Sequence, residues 1–287
     1  MTPLLLNSDL RARQSAFNRS SRDQWNGFTE HRRHVTARLV AKAGRGGSRL
    51  CVLGAGNTND LDLPTLLASF REVHLIDLDG DALQQGVERQ RVAPSPSLHL
   101  HRRIDVTGMF DEMASWTPMT PITVSCLNAL SHWPLERVAP VLPTRFDVVA
   151  STCLISQLLE TAAHALGRPH GALGDVLRAI RVGHLRLLAG LLTMTGTALL
   201  ISELASSEKV PELATLDEAD LPSRVVALER QANVFGGLDR AALLEIMRGD
   251  PFLRRCVGGI ETSAPWRWKL HERLYLARAL SFQRHAI

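Results

Sequence analysis

The chain has 287 residues, 45% of them hydrophobic and 22% charged, a composition that allows a sizeable folded core and excludes a disordered or fibrous chain. Its 33 Lys and Arg against 29 Asp and Glu leave a net charge of +4. The basic residues are spread out, with loose concentrations at 11–45 and 254–284, and no dense run interleaved with aromatics marks a nucleic-acid surface. No stretch approaches the roughly 20 apolar residues of a membrane helix. The start, residues 1–13, has only three consecutive leucines, too few for a secretory leader. Cys51, Cys126, Cys153 and Cys256 lie far apart without Cys/His ligand spacing, so no metal site is expected and a reducing cytoplasm suits the thiols.

Residues 8–43 read as polar helix with Trp25, Phe28, Val35 and Leu39 near one face. Gly44-Arg45-Gly46-Gly47-Ser48 breaks the pattern and is not a phosphate loop, because no Gly-Lys-Ser/Thr follows. Residues 1–47 are therefore expected as a helical extension and 48–287 as the main domain. In that domain strands are expected at Arg49–Leu53, Glu72–Ile76, Leu98–Ile104, Phe146–Ala150 and Ala198–Ser202. Helices are expected at Leu61–Phe70, Asp81–Arg91 and Asp175–Leu192, with a long Pro-containing connection before the fourth strand. Alternation of this kind predicts right-handed βαβ units and a parallel sheet. Residues 205–237 read as an irregular, partly helical insertion, and Asp239–Arg248 as a helix capped by Asp239. Strand-like runs at Trp266–Leu270 and Leu274–Leu280, separated by His271-Glu272-Arg273, predict a hairpin.

Three features carry chemistry. Gly54-Ala55-Gly56 follows the first strand, and its glycines permit positive φ and close approach of a ligand to the backbone. Asp77 ends the second strand, where a carboxylate can accept from both ribose hydroxyls of an adenosine; nearby Asp79 suits a helix cap better. Asp105-Val106 follows the third strand, where a carboxylate can accept from an adenine amino group while an apolar neighbour packs on the ring. Each lies at the carboxyl end of a successive parallel strand, where open α/β sheets bind ligands.

This series, with Leu75-Ile76-Asp77, Phe146–Ser151 and Thr195–Ile201 in their places, resembles the ordered motifs of class I S-adenosylmethionine-dependent methyltransferases. The resemblance covers residues 49–204 and 239–282. It implies an α/β fold, a doubly wound, mostly parallel seven-stranded sheet with an antiparallel last strand. It implies S-adenosylmethionine as cofactor, with Gly54, Ala55 and Gly56 at the methionine portion, Asp77 and Leu78 at the ribose, and Asp105 and Val106 at the adenine. Ser151 and Thr152 would face the cofactor after strand four. The family's acidic residue two positions before the first glycine is Val52 here, and its third glycine is replaced by Thr58 or Asn59. Asn57 or Asp60 then supplies the polar contact to the methionine amino group. No catalytic base is assigned: His132, His164, His170 and Glu203 read as surface or packing residues. The acceptor is expected to be a small molecule entering between 151–157 and 205–237, where Asn233 and Phe235 could orient it. Two other functions remain open, a methyltransferase-like binding subunit without catalysis and a nicotinamide-dependent oxidoreductase. The latter would want glycine where Asn59 stands.

Overall fold

The computed structural model describes residues 9–44, 47–231 and 233–285. The leucines of the first eight residues, and Arg45-Gly46 of the expected boundary, lie outside that description.

In chain order the elements are α1 (Asp9–Ser21), α2 (Thr29–Val40), β1 (Arg49–Leu53), α3 (Leu63–Ser69), β2 (Glu72–Asp77), α4 (Gly80–Arg89), β3 (Leu98–Arg102), α5 (Phe110–Met113), α6 (Val124–Val138), β4 (Phe146–Thr152), α7 (Ile155–Leu166), α8 (Leu173–Leu191), β5 (Leu192–Ser206), α9 (Leu221–Arg230), α10 (Arg240–Gly249), α11 (Pro251–Cys256), β6 (Val257–Thr262), β7 (Trp266–Leu270) and β8 (Arg273–Arg284). The strand order is β3-β2-β1-β4-β5-β8-β6, with β7 also on β8. The first five strands pair in parallel and β8 runs antiparallel to β5. The sheet is seven positions wide, as expected, but eight strands fill it. β6 and β7 occupy one position end to end, against the carboxyl and amino halves of β8.

Several elements differ from the expectation. The single N-terminal helix is two, broken at Asp23–Phe28. The long connection before β4 holds α6, which tolerates Pro134 in its interior, and α7 follows β4. β5 starts directly at the end of α8 and runs to Ser206, into the expected insertion. β6 was not expected at all. It contains Gly258 and Gly259, the latter at φ +58, and a register shift between Gly258 and Glu261, so it lacks the alternation of a strand. After the shift, Ser263-Ala264-Pro265 leads into β7, and the Ser263 amide and hydroxyl hold Ala279 of β8 at 2.8 and 3.1 Å.

Alternation along the strands divides the core in two. Cys51, Leu53, Ile76 and Val149 face a layer built with α6, α7 and α8. Leu50, Val52, Val73, Leu75 and Ala150 face a layer built with α2, α3 and the tryptophans of β7. Beneath α9 a third cluster joins Leu204, Val210, Leu213 and Leu228 to Leu276 of β8. Arg278 of β8, itself 7% exposed, ties α9 down through Glu229 at 2.6 Å. The helix starts are locally encoded: Asp62, Asp79, Thr123, Asp239 and Asp250 each accept a backbone N–H of their own first turn. Among the described residues no helix is long and apolar enough to cross a membrane.

Helices α6 and α8 pack at close range because Gly183 has no side chain; a Cβ there would stand 2.1 Å from the Leu130 carbonyl oxygen and 2.9 Å from Pro134 Cγ. Gly183→Ala should therefore destabilise, since overpacking against backbone costs about 1–3 kcal/mol and exceeds the ~0.8–1 kcal/mol gain in helix propensity. Gly174→Ala, where nothing lies within 4 Å of the new atom, should be neutral or stabilising, and urea unfolding of the two variants checks the contrast.

Candidate functional site

At the carboxyl ends of β1, β2 and β3 lies a cleft of about 260 Å³. Its floor is Gly54, Gly56, Asp77 and Leu78, and one wall is Ile104, Asp105, Val106 and Phe110. Leu154, Gln157 and Leu158 form the wall from the start of α7, and Gln14, Ser15 and Asn18 of α1 lean in from the other side.

The two glycines are needed where they stand. Gly54 sits at φ +74 and a Cβ there would strike Leu154 at 2.8 Å; Gly56 sits at φ +44 and a Cβ would lie 2.9 Å from Asn18 Oδ1. The role sought for a third glycine is taken up on α4. A Cβ on Gly86 would stand 2.3 Å from the Asn57 carbonyl oxygen, so that helix lies directly on the loop. Thr58, at φ +53, occupies the left-handed region without being glycine, and Gln90 Nε2 holds its carbonyl and hydroxyl oxygens at 3.1 and 2.9 Å.

Asp77 Oδ2 accepts the Gly56 amide at 2.7 Å and Oδ1 the Asp79 amide at 2.8 Å. Burial first, then the neighbouring Asp79 charge, pushes its pKa up to about 6 against those stabilising amides. Each oxygen keeps a further lone pair. Asp79 is the cap of α4, accepting from the Ala82 amide at 3.0 Å, and Asn18 Nδ2 of α1 reaches its other oxygen at 3.3 Å. Asp105 is occupied by its own turn: Oδ1 accepts from Thr107 N and Oγ1 at 2.8 and 2.7 Å, and Oδ2 from Phe110 N at 2.8 Å. Val106 is buried beside it. Among the described residues, Asp77, Asp79, Asp81 and Asp105 place four carboxylates in the lining against one guanidinium, that of Arg103.

The remaining sequence-predicted residues sit behind the cleft rather than in its lining. Ala55 is buried in the core layer of α2 and α3. Asn57 Nδ2 donates to the Asn18 carbonyl at 2.5 Å and Ser21 Oγ at 3.1 Å, while its Oδ1 is buried and unpaired. Ser151 points to the helical layer, its hydroxyl 2.8 Å from His184 Nε2. Thr152 points to the opposite face, its buried hydroxyl interacting with the Asp60 carboxylate. Asn233 and Phe235 are also outside the lining. Phe235 lies under Lys209 at 5.3 Å, and Arg181 of α8 holds the following Gly236 carbonyl at 2.6 Å.

The N-terminal helices are expected from the sequence as substrate walls, and α1 lines the cleft through Gln14, Ser15 and Asn18. Sequence reasoning missed a buried polar group behind the β4 loop. There Ser156 Oγ donates to Glu203 at 2.8 Å, and burial raises the Glu203 carboxyl. Cys153 Sγ lies 3.7 Å from His31 Nε2, and Trp266 Nε1 donates to His31 Nδ1 at 3.0 Å. Burial drives the His31 pKa down to about 3, so the ring is a neutral acceptor. Asp60 is the most displaced acid, pushed up to about 7 by burial, with Glu203 and Asp77 adding like charge. Asp77 ends β2, Asp60 lies in the loop after β1 and Glu203 lies in β5, with β4 between β1 and β5, so only a strand order could have brought the three acids together.

No protein-family model matches the chain, and no curated protein does. Among solved structures the chain is similar to magnesium protoporphyrin IX methyltransferase from Synechocystis with bound SAH, at 12% identity and TM-score 0.45, over 90% of this chain and 84% of that one. It is also similar to the N-methyltransferase NodS from Bradyrhizobium japonicum in complex with S-adenosyl-L-homocysteine, at 9% identity and TM-score 0.43, over 89% of this chain and 86% of that one. A third likeness is to an rRNA methylase from Streptococcus thermophilus, at 11% identity and TM-score 0.38, over 87% and 93% of the two chains. At these identities and scores the likeness carries no argument about activity.

Asp60 makes a pH prediction whose sign is fixed. Its folded pKa is raised from 3.8 to about 7, so the folded state holds the proton more tightly than the unfolded one. The protein's stability therefore falls as pH rises through that window. Asp60→Asn cannot ionise. Its melting temperature relative to wild type should climb by several degrees from pH 5 to pH 8, at about 2–4 °C per kcal/mol for a chain of this size. A difference that does not change with pH would show Asp60 to be unperturbed.

Proposed function

We propose that this chain binds S-adenosylmethionine in the cleft above β1–β3 and transfers its methyl group to a small-molecule acceptor. The observation that carries the proposal is the charge of the lining, four carboxylates to one guanidinium among the described residues. A ligand bearing a sulfonium and an ammonium is attracted to such a cleft, while a pyrophosphate is repelled.

The residues present fit that cofactor. Asp77 has spare lone pairs for a ribose diol. One buried polar atom without a hydrogen bond, Asn57 Oδ1, stands at the glycine-loop end. Leu78 and Val106 offer apolar contact to an adenosine. Asp105 has a single lone-pair site left for an adenine amino group after its three local bonds. Gly54, Ala55 and Gly56 let the backbone approach. Ser151 supports the site through His184. When bound, S-adenosylmethionine supplies an already activated methyl group, so what remains for the protein is alignment and exclusion of water. In this reading α1 of the N-terminal extension forms one wall of the site and α9, with the segments flanking it, borders acceptor entry. Four free thiols suit a reducing, cytoplasmic setting.

Two features weigh against a dinucleotide. The amino terminus of α3, where a pyrophosphate would sit, is taken by the Asp62 carboxylate on the Thr65 amide at 3.1 Å. The antiparallel β8 also occupies the sixth sheet position, which a dinucleotide fold fills with a parallel strand.

Calorimetry should detect S-adenosylhomocysteine binding and none with NADH; the reverse result overturns the proposal. Because Asp77 also joins two loops, Asp77→Asn is the informative variant. It loses a charge-assisted bond worth about 1.5–3 kcal/mol, so S-adenosylhomocysteine affinity should drop tenfold or more while the fold persists by circular dichroism.

A further inference from the structure

Residues of one parity on paired parallel strands share a face. His74 of β2 pairs with His99 of β3, and Ile76 with His101, so Glu72, His74, His99 and His101 all stand on the face toward α6–α8, at the edge of the sheet. His74 is 1% exposed. Its ring meets Phe146 edge-on at 5.0 Å and stacks on His99 at 4.3 Å. One ligand atom from each of Glu72, His74 and His99 lies within 4.8 Å of the other two.

The individual separations are informative. His74 Nε2 is 3.4 Å from Glu72 Oε2. That is long for a charge-assisted hydrogen bond, which prefers about 2.7–2.9 Å. It matches the ~3.4 Å between two ligands held about 2.1 Å from zinc at tetrahedral corners. His74 Nδ1 is 2.9 Å from His101 Nε2, which is the outer hydrogen bond a metal-bound histidine uses to fix its tautomer. In the tautomer whose Nδ1 donates to His101, the Nε2 lone pair faces the Glu72 carboxylate, an arrangement completed by a cation between them.

We propose that Glu72, His74 and His99 form a zinc site that staples the edge strand β3 to β2, with His101 as the outer partner of His74 and water in the fourth position. Two imidazoles and a carboxylate suit zinc and not the all-oxygen coordination of magnesium or calcium. His99, only partly buried, is free to turn from its stack so that its lone pair converges with the other two. The site is separate from the proposed methyl-transfer cleft, because Glu72 opens β2 and Asp77 closes it.

The test uses the full chain without a histidine tag, stripped with chelator and titrated with zinc chloride. Wild type should bind one zinc per chain with Kd tighter than about 1 µM and melt higher with zinc, while magnesium chloride has no effect. Zinc-edge X-ray absorption should show nitrogen and oxygen ligands at about 2.0–2.2 Å and no sulfur at about 2.3 Å. His99→Ala and Glu72→Gln, at partly exposed positions, should fold normally without metal and bind zinc at least tenfold more weakly. Zinc affinity equal in wild type and both variants, or sulfur in the coordination shell, overturns the site.

Discussion

The Asp77 carboxylate is the constraint on which the rest of the cleft depends. One oxygen holds the Gly56 amide and the other the Asp79 amide, so the loops after β1 and β2 are fixed to each other through a single side chain. A buried charge is costly, and the cost shows in the raised pKa. Two backbone amides aimed at it offset part of that cost. The same bonds set the height of Gly56 under α1 and place Asp79 to cap α4. The cleft is thus shaped before any ligand arrives, and its negative charge is built in.

The parallel half of the sheet was legible because β1, β2 and β4 are short apolar runs, the first leading into Gly54 and the second ending at Asp77. The ends of those runs are the site. The Asp79 and Asp239 caps were equally legible, since capping is local. What was illegible depended on partners distant in sequence. Pro134 disguised α6, yet the proline is accommodated against Gly183 of another helix. β6 has the glycines of a loop and is a strand only because β8 runs beside it. α1 reads as an ordinary polar helix, and its polarity is explained by Asn18, whose amide donates to Asp79, and Ser21, whose hydroxyl accepts from the Asn57 side chain.

The candidate side chains show the same division. Gly54, Gly56, Asp77, Leu78, Asp105 and Val106 line the cleft because each ends a strand or begins the turn after it. Ser151 and Thr152 are adjacent in sequence and face opposite layers, one to His184 and one to Asp60. Their divergence follows from strand alternation. The pairs Glu72-Val73-His74 and His99-Leu100-His101 were overlooked for a related reason. Cysteine–histidine ligand spacing along the chain does not reveal them, because these residues converge across two paired strands at a period of two.

The two edges of the sheet have a consequence for how the chain behaves in crowded solution. β3 is five residues long, while the opposite edge is interrupted by the register shift at Gly258–Glu261 and again by Pro265 before β7. An edge that is short or broken offers no long row of free amides and carbonyls for a second chain to pair with. A fifteen-residue strand such as β5 would be a hazard at the rim, and here it lies between two neighbours. The topology thus protects against intermolecular strand addition without needing charge to do so, which lets the surface keep a net charge close to neutral.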